Sequence, residues 1–266
     1  MKKYIVIGNP IEHSLSPKLH NHWIKENKIE AVYEKKLIEE KDIKLIINDI
    51  RIKKIKGINV TVPFKKSVIP FLDRLTVLAK ETHSVNTILL GDDGAIVGEN
   101  TDIHGFCKAI KNTNYTVKDK IAFILGAGGV VPSIVSGLKS MGISKIYLSN
   151  RTKKNAEEIK KLYQDLEIVD WGESPKFDII VNATSLGLKQ EDEIKLDYSK
   201  MGSDKLFYDV IYNPSRTKFL SKAQEFSNQI ENGKLMFVYQ AQEAFKIWHG
   251  IEPKIDQRVL KLLEND

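Results

Sequence analysis

The sequence predicts an α/β fold built from two domains, and three observations support this prediction. Short runs rich in valine and isoleucine alternate with longer amphipathic stretches along the whole chain, which is typical of strand and helix units around a largely parallel sheet. The length of 266 residues suits one large domain or two smaller ones. In mid-chain an apolar strand runs directly into a glycine-rich turn and a helix, which indicates that a second unit begins there.

The first domain is predicted as a regular alternation from the amino terminus onward. Apolar runs define the elements, and flanking glycine, proline and polar residues set their bounds. The elements are, in order, a strand at 4–8, a helix from Pro17, a strand at 32–37, a helix at 42–51, a strand at 57–62, helices between 64 and 82, and a strand at 85–90.

The second domain follows a helix at 103–111 and has an order that is Rossmann-like. Its predicted elements are a strand at 120–125, a helix ending at Met141, a strand at 145–149, a further helix, a strand at 177–182, a strand at 206–211 and a helix from Ser215. Two last helices, at 236–248 and 255–263, carry apolar residues at helical spacing and are expected to pack back onto the first domain.

Composition narrows the class of protein and its partners. No apolar run approaches the roughly 18 residues of a membrane helix, and the segment after Met1 is a strand rather than a signal peptide. The single cysteine, Cys107, fits a reducing compartment and a packing role, so we expect a cytoplasmic protein without a metal site. The net charge of +6 comes from lysines interleaved with acidic residues rather than from basic blocks, so anionic small molecules explain its sign as well as nucleic acid does. In the absence of a nucleic-acid-binding motif we expect a small-molecule substrate and neither a nucleic acid nor a membrane as partner.

The glycine turn is a candidate cofactor loop. The strand that ends at Leu125 leads into Gly126-Ala127-Gly128-Gly129-Val130, where backbone N–H groups at a helix terminus can approach a pyrophosphate. A glycine turn alone is weak evidence, since tight turns use glycine for backbone reasons. The next strand ends in Ser149-Asn150-Arg151-Thr152-Lys153-Lys154, which is basic where an NAD enzyme has an acidic residue and therefore suits a 2′-phosphate. Alternatively Thr152 caps a helix, although lysines in its first turn oppose the helix dipole.

Polar side chains at strand ends of the first domain form a candidate substrate site. Ser14 and Ser16 precede a helix, and Thr61 and Lys65 follow a strand close to the predicted start of the next helix. Further polar groups follow in Ser84-Val85-Asn86-Thr87 and Gly98-Glu99-Asn100-Thr101-Asp102, and the set could bind a polyhydroxylated ring. Each residue has a plainer interpretation: Ser16 and Asp102 as helix caps, and Lys65 as a solvated lysine.

Together these segments resemble the shikimate dehydrogenase family along nearly the whole chain. The resemblance is carried, in order, by Gly8-Asn9-Pro10-Ile11, His13-Ser14, Ser16-Pro17, Asn59-Val60-Thr61, Pro63-Phe64-Lys65, Val85-Asn86-Thr87, Gly98, Asn100-Thr101-Asp102, Gly126-Ala127-Gly128-Gly129, Asn150-Arg151-Thr152, Asn182-Ala183-Thr184, Asp209, Tyr212-Asn213-Pro214, Thr217, Phe219-Leu220, Gln240-Ala241, Phe245 and Trp248.

The resemblance implies a fold, an activity and a cofactor. Residues 1–102 with 236–266 would form the substrate-binding catalytic domain, and residues 103–235 a Rossmann-like NADP-binding domain. The activity would be the NADP-dependent, reversible reduction of 3-dehydroshikimate to shikimate in aromatic amino-acid biosynthesis. The protein would be a monomer or a homodimer.

The resemblance also implies roles for individual residues. Lys65 would be the general acid and base, paired with Asp102. The substrate carboxylate would bind Ser14 and Ser16, helped by Tyr212, and the ring hydroxyls would bind Thr61, Asn86, Asp102 and Gln240. NADP(H) would contact Gly126, Ala127, Gly128, Gly129, Val130, Asn150, Arg151, Thr152, Lys154, Thr184, Ile211 and Gly233.

Some positions depart from the family pattern and leave alternatives open. Leu235 precedes Met236 where the family has a glycine, and Asn155 stands where a second arginine is usual, with Lys153 and Lys154 as substitutes. A quinate/shikimate dehydrogenase of broader specificity that also uses NAD is one alternative. A non-catalytic NADP-binding sensor is the other.

Overall fold

The computed structural model describes residues 1–264 and divides into two compact units. Unit 1 consists of Met1–Gly105 together with Val238 and the described residues that follow it, and unit 2 is Phe106–Phe237. The sequence predicts that the first domain ends at 102 and resumes at 236, whereas unit 1 ends at 105 and resumes at 238. Positions 265 and 266 of the predicted first domain lie outside the described residues. No helix within residues 1–264 is long and apolar enough to span a membrane.

Unit 1 contains a six-stranded sheet in the order β2-β1-β3-β5-β6-β4. Its strands are β1 (Lys2–Gly8), β2 (Ala31–Leu37), β3 (Gly57–Val60), β4 (Arg74–Leu75), β5 (Thr87–Leu90) and β6 (Ile96–Glu99). Its helices are α1 (Ser16–Glu26), α2 (Ile43–Arg51), α3 (Val77–Thr82) and α9 (Gln257–Leu262), and the chain passes between the units within α4 (Asp102–Asn112) and α8 (Lys234–His249).

Isoleucine dominates the core of unit 1. On α2, Ile43, Ile46, Ile47 and Ile50 are all buried, at the spacing of one helical face, and they pack in the same cluster as Ile5 and other side chains of the sheet. Full burial of such a side chain stabilises the fold by roughly 1.5–3 kcal/mol. This cluster fixes the positions at which β1 and β3 end.

Unit 2 contains a six-stranded parallel sheet in the order β12-β11-β10-β7-β8-β9. Its strands are β7 (Ile121–Leu125), β8 (Lys145–Ser149), β9 (Glu167–Ile168), β10 (Ile179–Asn182), β11 (Leu206–Asp209) and β12 (Gln229–Glu231). Its remaining helices are α5 (Val131–Ser140), α6 (Lys153–Leu162) and α7 (Lys218–Glu225). Counted within the unit, the order is the Rossmann order 3-2-1-4-5-6, and strand order reverses between β7 and β10.

The structure differs from the sequence-based prediction in three respects. β5 runs antiparallel to both β3 and β6. The short turn between β5 and β6 requires the antiparallel pairing of these two strands. The helix predicted to begin near Lys65 was wrong: residues 62–68 are turns followed by a 3-10 helix at Ile69–Phe71, where Pro70 has no N–H to continue a helix. The strands β4, β6, β9 and β12 were missed, because runs of two to four residues give little or no periodicity.

Candidate active site

Lys65 and Asp102 form an ion pair at the centre of the unit 1 site. Lys65 lies in the turns after β3, and Asp102 is the first residue of α4. The Lys65 Nζ lies 2.5 Å from Asp102 Oδ2, and the two side chains are only 12% and 8% exposed. Because water is largely excluded, the attraction is much stronger than that of a surface pair. The Val85 backbone N–H donates to the Lys65 carbonyl at 2.9 Å and holds the turn in place.

Asn86 holds the other oxygen of the Asp102 carboxylate. Its Nδ2 donates to Asp102 Oδ1 at 2.9 Å and to Thr101 Oγ1 at 2.9 Å, and it lies 3.4 Å from Gln240 Oε1. Its Oδ1 accepts the Thr101 backbone N–H at 2.8 Å. Asn86 is 2% exposed, so these bonds fix its rotamer and the carboxylate together. The structure therefore brings Lys65, Asn86, Asp102 and Gln240 together in one group of polar contacts.

Ser14 lies in the turn between β1 and α1, and Ser16 is the first residue of α1. The Ser16 backbone N–H donates to Ser14 Oγ at 3.4 Å. The alternative of Ser16 as a helix cap was wrong, because α1 begins at Ser16, Leu15 occupies the cap position and no side chain caps the helix. The Ser16 hydroxyl instead bonds to the buried Tyr33.

Thr61 follows β3 and lies against the end of β1. A Cβ atom built on Gly8 would come within 2.6 Å of Thr61 Cγ2, so only glycine at the end of β1 permits this approach. The Thr61 backbone N–H donates to the Ile7 carbonyl at 2.9 Å. The segment that carries both Thr61 and Lys65 is thus anchored to β1.

Unit 2 has a groove of about 360 Å³ at the point where its strand order reverses. The groove is lined by residues that follow β7, β8 and β10, which is where open α/β sheets bind ligands. Its lining residues are Gly126, Ala127, Gly128, Asn150, Arg151, Asn155, Trp171, Ala183, Thr184, Ser185 and Leu186.

Two glycines make the groove suitable for a pyrophosphate. Gly126 has φ +106°, and a Cβ there would lie 2.6 Å from the Ala183 carbonyl oxygen, so glycine is required by the fold itself. At Gly128 the nearest heavy atom would be 4.0 Å away, which leaves open space beside the backbone. The residues present therefore fit a dinucleotide phosphate near a helix N-terminus.

The basic segment after β8 differs in detail from the sequence-based picture. Arg151 is exposed and lines the groove, whereas Lys153 pairs with Asp170 at 2.9 Å. Thr152 occupies the cap position of α6, but its side chain makes no capping bond. The Asn150 amide instead donates to the Thr152 carbonyl at 2.8 Å and shapes the turn.

The remaining predicted cofactor residues do not line this groove. Gly129 and Val130 continue the loop toward α5, and Lys154 lies exposed on α6. Ile211 follows β11, and Gly233 donates its N–H to the Ile211 carbonyl at 3.1 Å.

A buried carboxylate organises the loops at this edge of unit 2. Asp209 is 0% exposed and accepts bonds from Thr217 Oγ1 at 2.7 Å, Ile211 N–H at 3.0 Å and Asn182 Nδ2 at 3.0 Å. Burial raises the pKa of Asp209 to about 6, although its three donors oppose that shift. Tyr212 belongs to the loop that Asp209 holds.

Tyr212 is itself fixed within unit 2 by an aromatic neighbour. Its ring stacks on Phe237 with centroids 4.9 Å apart and planes 24° apart. Burial raises the pKa of the Tyr212 hydroxyl, so the side chain stays a neutral donor.

Sequence reasoning missed several groove residues, of which Trp171 is the largest. Trp171 follows β9 and is 38% exposed although it lines the groove. A tryptophan in the polar segment Asp170-Trp171-Gly172 is a usable signal, since an exposed aromatic ring in a loop often contacts a ligand. Ser185 carries no comparable signal because small polar residues are common in loops. Asn155, which stands where the family has a second arginine, lines the groove from α6.

Known proteins share this chain's sequence and fold. Family models described as the shikimate dehydrogenase substrate binding domain and the shikimate 5'-dehydrogenase C-terminal domain match residues 6–88 and 235–257. The shikimate dehydrogenase (NADP(+)) of Pelagibacter ubique is 55% identical over 263 residues, which cover 99% of each chain.

Two solved structures superpose on the whole chain. Shikimate dehydrogenase from Aquifex aeolicus is 38% identical with a TM-score of 0.89, over 100% of this chain and 98% of that one. Shikimate 5-dehydrogenase from Thermus thermophilus, in complex with NADP(H) and shikimate, is 27% identical with a TM-score of 0.89, over 99% of each chain.

Proposed function

The chain belongs to the shikimate dehydrogenase family, and from this membership we propose how its residues carry out the reaction. It is an oxidoreductase that interconverts 3-dehydroshikimate and shikimate with NADP(H). The observation that carries the proposed mechanism is the shielded Lys65–Asp102 pair, with Nζ and Oδ2 2.5 Å apart. The Lys65 Nζ is a hydrogen-bond donor there, beside side chains that can bind ring hydroxyls.

Lys65 is the proton carrier in this proposal. When bound, NADPH supplies the hydride that reduces the ring ketone. Lys65 gives a proton from Nζ to the alkoxide oxygen that forms, and in the reverse direction it takes the proton of the hydroxyl. Asp102 orients Nζ and also accepts a bond from the substrate, while Asn86 keeps the carboxylate from rotating.

The other polar residues of the site distinguish the two ends of the substrate. Ser14 and Ser16, with Tyr212, bind the carboxylate. Thr61, Asn86, Asp102 and Gln240 bind ring hydroxyls, and the 3.4 Å approach of Asn86 and Gln240 supports placing these two on one hydroxyl. A ligand that lacks these hydroxyls leaves buried polar groups unpaired, which strongly disfavours its binding.

The groove of unit 2 holds NADP(H) in this proposal. Gly126, Ala127, Gly128, Gly129 and Val130 hold the pyrophosphate, and Asn150, Arg151, Thr152 and Lys154 hold the adenosine end with its 2′-phosphate. Thr184, Ile211 and Gly233 contact the remainder of the cofactor. Arg151 is the principal phosphate ligand because Lys153 is engaged by Asp170.

We also propose a location and an assembly state for the enzyme. The single thiol, Cys107, is partly buried, and burial raises its pKa, which suits an unreactive cysteine in the reducing cytoplasm. We place the enzyme there as a monomer or a homodimer.

Turnover with two substrates and two cofactors tests the assignment. NADPH or NADH formation is followed with shikimate or quinate and with NADP or NAD. The proposal predicts the highest kcat/KM for shikimate with NADP. Comparable turnover of quinate with NAD would favour the broader dehydrogenase, and NADPH binding without any turnover would favour the sensor.

A further inference from the structure

Tyr33 connects the proposed carboxylate site to the catalytic pair. It lies on β2, is 1% exposed, and its ring stacks on His20 with centroids 4.2 Å apart and planes 5° apart. Its hydroxyl donates to Asn59 Oδ1 at 2.6 Å and also bonds to Ser16. Since Ser16 is a proposed substrate ligand, Tyr33 determines what Ser16 can offer the substrate.

The direction of each bond follows from the Asn59 amide. Asn59 Nδ2 donates to the Asn86 carbonyl at 3.0 Å and to Thr87 Oγ1 at 3.0 Å. A carbonyl only accepts, so the nitrogen must face Asn86, and Asn59 Oδ1 must face Tyr33. The single proton of the Tyr33 hydroxyl is therefore committed to Asn59.

Tyr33 keeps that proton under all ordinary conditions. Burial raises the pKa of Tyr33 well above its usual range. With its only proton on Asn59, Tyr33 Oη can only accept from Ser16, so the Ser16 hydroxyl proton points at Tyr33. Toward the substrate, Ser16 then presents lone pairs, which a carboxylate repels.

The hydroxyl proton of Ser14, in contrast to that of Ser16, is not engaged by an acceptor in the part of the protein that the structure describes. Its Oγ accepts the Ser16 backbone N–H at 3.4 Å, and within the described chain Ser14 has no further hydrogen-bond partner for its hydroxyl proton. That proton is available to a carboxylate. The two serines, which the resemblance treats alike, are therefore unequal donors.

We propose that Tyr33 is a positioning residue that retains the Ser16 hydroxyl proton, so that Ser14 is the principal donor to the substrate carboxylate. This proposal rests on the proposed function, because it takes shikimate as the ligand. Ser16 can reach the carboxylate only by turning away from Tyr33, and the lost bond offsets part of the new one.

Removing the Tyr33 hydroxyl should tighten substrate binding. In Tyr33→Phe the Ser16 proton is released, and we expect the dissociation constant of shikimate, measured by calorimetry, to fall about fivefold, the factor that corresponds to one typical hydrogen bond. In a Ser16→Ala background the same substitution should change the dissociation constant less than about twofold, because the residue through which Tyr33 acts is absent.

A matched control separates this effect from the loss of a buried hydroxyl. Tyr208 in unit 2 is also fully buried, and its hydroxyl has no hydrogen-bond partner among the described residues. Tyr208→Phe should leave shikimate binding unchanged. Weaker or unchanged binding in Tyr33→Phe, or an equal gain in the Ser16→Ala background, would overturn the proposal.

A second comparison keeps the test decisive if Tyr33→Phe does not fold, since Asn59 Oδ1 loses its donor in that variant. Ser14→Ala should weaken shikimate binding by about tenfold or more, and Ser16→Ala by less than about threefold. Equal effects would contradict the proposal. Wild-type enzyme that neither binds nor oxidises shikimate would remove the proposed function as well, whereas normal turnover with equal serine effects would remove only the role of Tyr33.

Discussion

Single residues in this chain act through partners that are distant in sequence. Lys65 and Asp102 meet because a turn and a helix start lie at one edge of the unit 1 sheet, and Asn86 binds Asp102 from a third segment. The residue types were predictable from the motifs, since each motif carries a polar group at a strand end. The links through Tyr33 and Asn59 were not, because nothing near Ser16 in the sequence points to a tyrosine on β2.

Asp209 makes a testable contribution to the pH dependence of stability. Burial raises its pKa to about 6 from an ordinary value of 3.8, so the folded protein holds this proton more tightly than the unfolded chain does. Its contribution to stability is therefore greatest below about pH 4 and is lost as pH rises through about 6, a change of about 3 kcal/mol. Asp209→Asn cannot ionise. Its amide oxygen can still accept from Ile211 and Asn182, and its amide nitrogen can donate to Thr217 Oγ1, which then acts as acceptor.

Urea denaturation at pH 4.5 and pH 7.5 measures this contribution. At pH 7.5 the free energy of unfolding of Asp209→Asn should exceed that of the wild type, and the advantage should shrink at pH 4.5. Exposed Asp165, whose pKa Lys139 lowers, provides the control substitution Asp165→Asn, which should show no such advantage. An identical pH dependence in Asp209→Asn and the wild type would contradict the account.

The strands and helices that form the cofactor groove were predicted from the sequence, whereas the separate roles of the glycines in it were not. The strand, glycine turn and helix pattern predicted β7 and α5, and the parallel order of unit 2 follows from the repeated strand and helix units. Sequence could not tell which glycine serves the fold and which serves a ligand, because that depends on the approach of Ala183 from β10. The structure separates the two roles.

Alanine substitutions at two glycines of this loop should have different effects. Gly126→Ala places a Cβ 2.6 Å from the Ala183 carbonyl oxygen at φ +106°, so we expect a loss of stability of about 2 kcal/mol or more. Gly128→Ala meets nothing nearer than 4.0 Å, so its melting temperature should stay within about 2 °C while KM for NADP rises at least about tenfold. Melting curves and cofactor kinetics of both variants test this, and a reversal of the pattern would show that the pyrophosphate does not sit beside Gly128.

Trp171 provides an optical test of the same groove. It is partly exposed beside Arg151 and Asn155, whereas Trp23 is fully buried in unit 1. We expect NADP to quench Trp171 fluorescence and Trp171→Phe to abolish most of the quenching, with KM for NADP raised only a fewfold because an aromatic face remains. Full quenching in Trp171→Phe would place the cofactor elsewhere.

For the whole molecule, the division into two α/β units was predictable and the mixed sheet of unit 1 was not. The alternation of strands and helices predicts parallel order, but β5 and β6 form an antiparallel hairpin. β5 leads away from Asn86, and β6 leads back to the segment before Asp102, so that Thr87 pairs with Glu99. Without this reversal the Asn86 and Asp102 segments would not start and end at the same edge. The departure from the simple α/β pattern therefore builds the catalytic site.

The measurement that tests the central claim most directly is shikimate oxidation by Lys65→Ala beside the wild type and Lys66→Ala, an exposed neighbouring lysine. Circular dichroism and calorimetry establish that each variant folds and binds shikimate. The account predicts that Lys65→Ala lowers kcat by a factor of about 10² to 10⁴ with shikimate binding within about threefold, while Lys66→Ala matches the wild type. A folded Lys65→Ala variant that retains more than about a tenth of the wild-type kcat would contradict the assignment of Lys65 as the proton carrier.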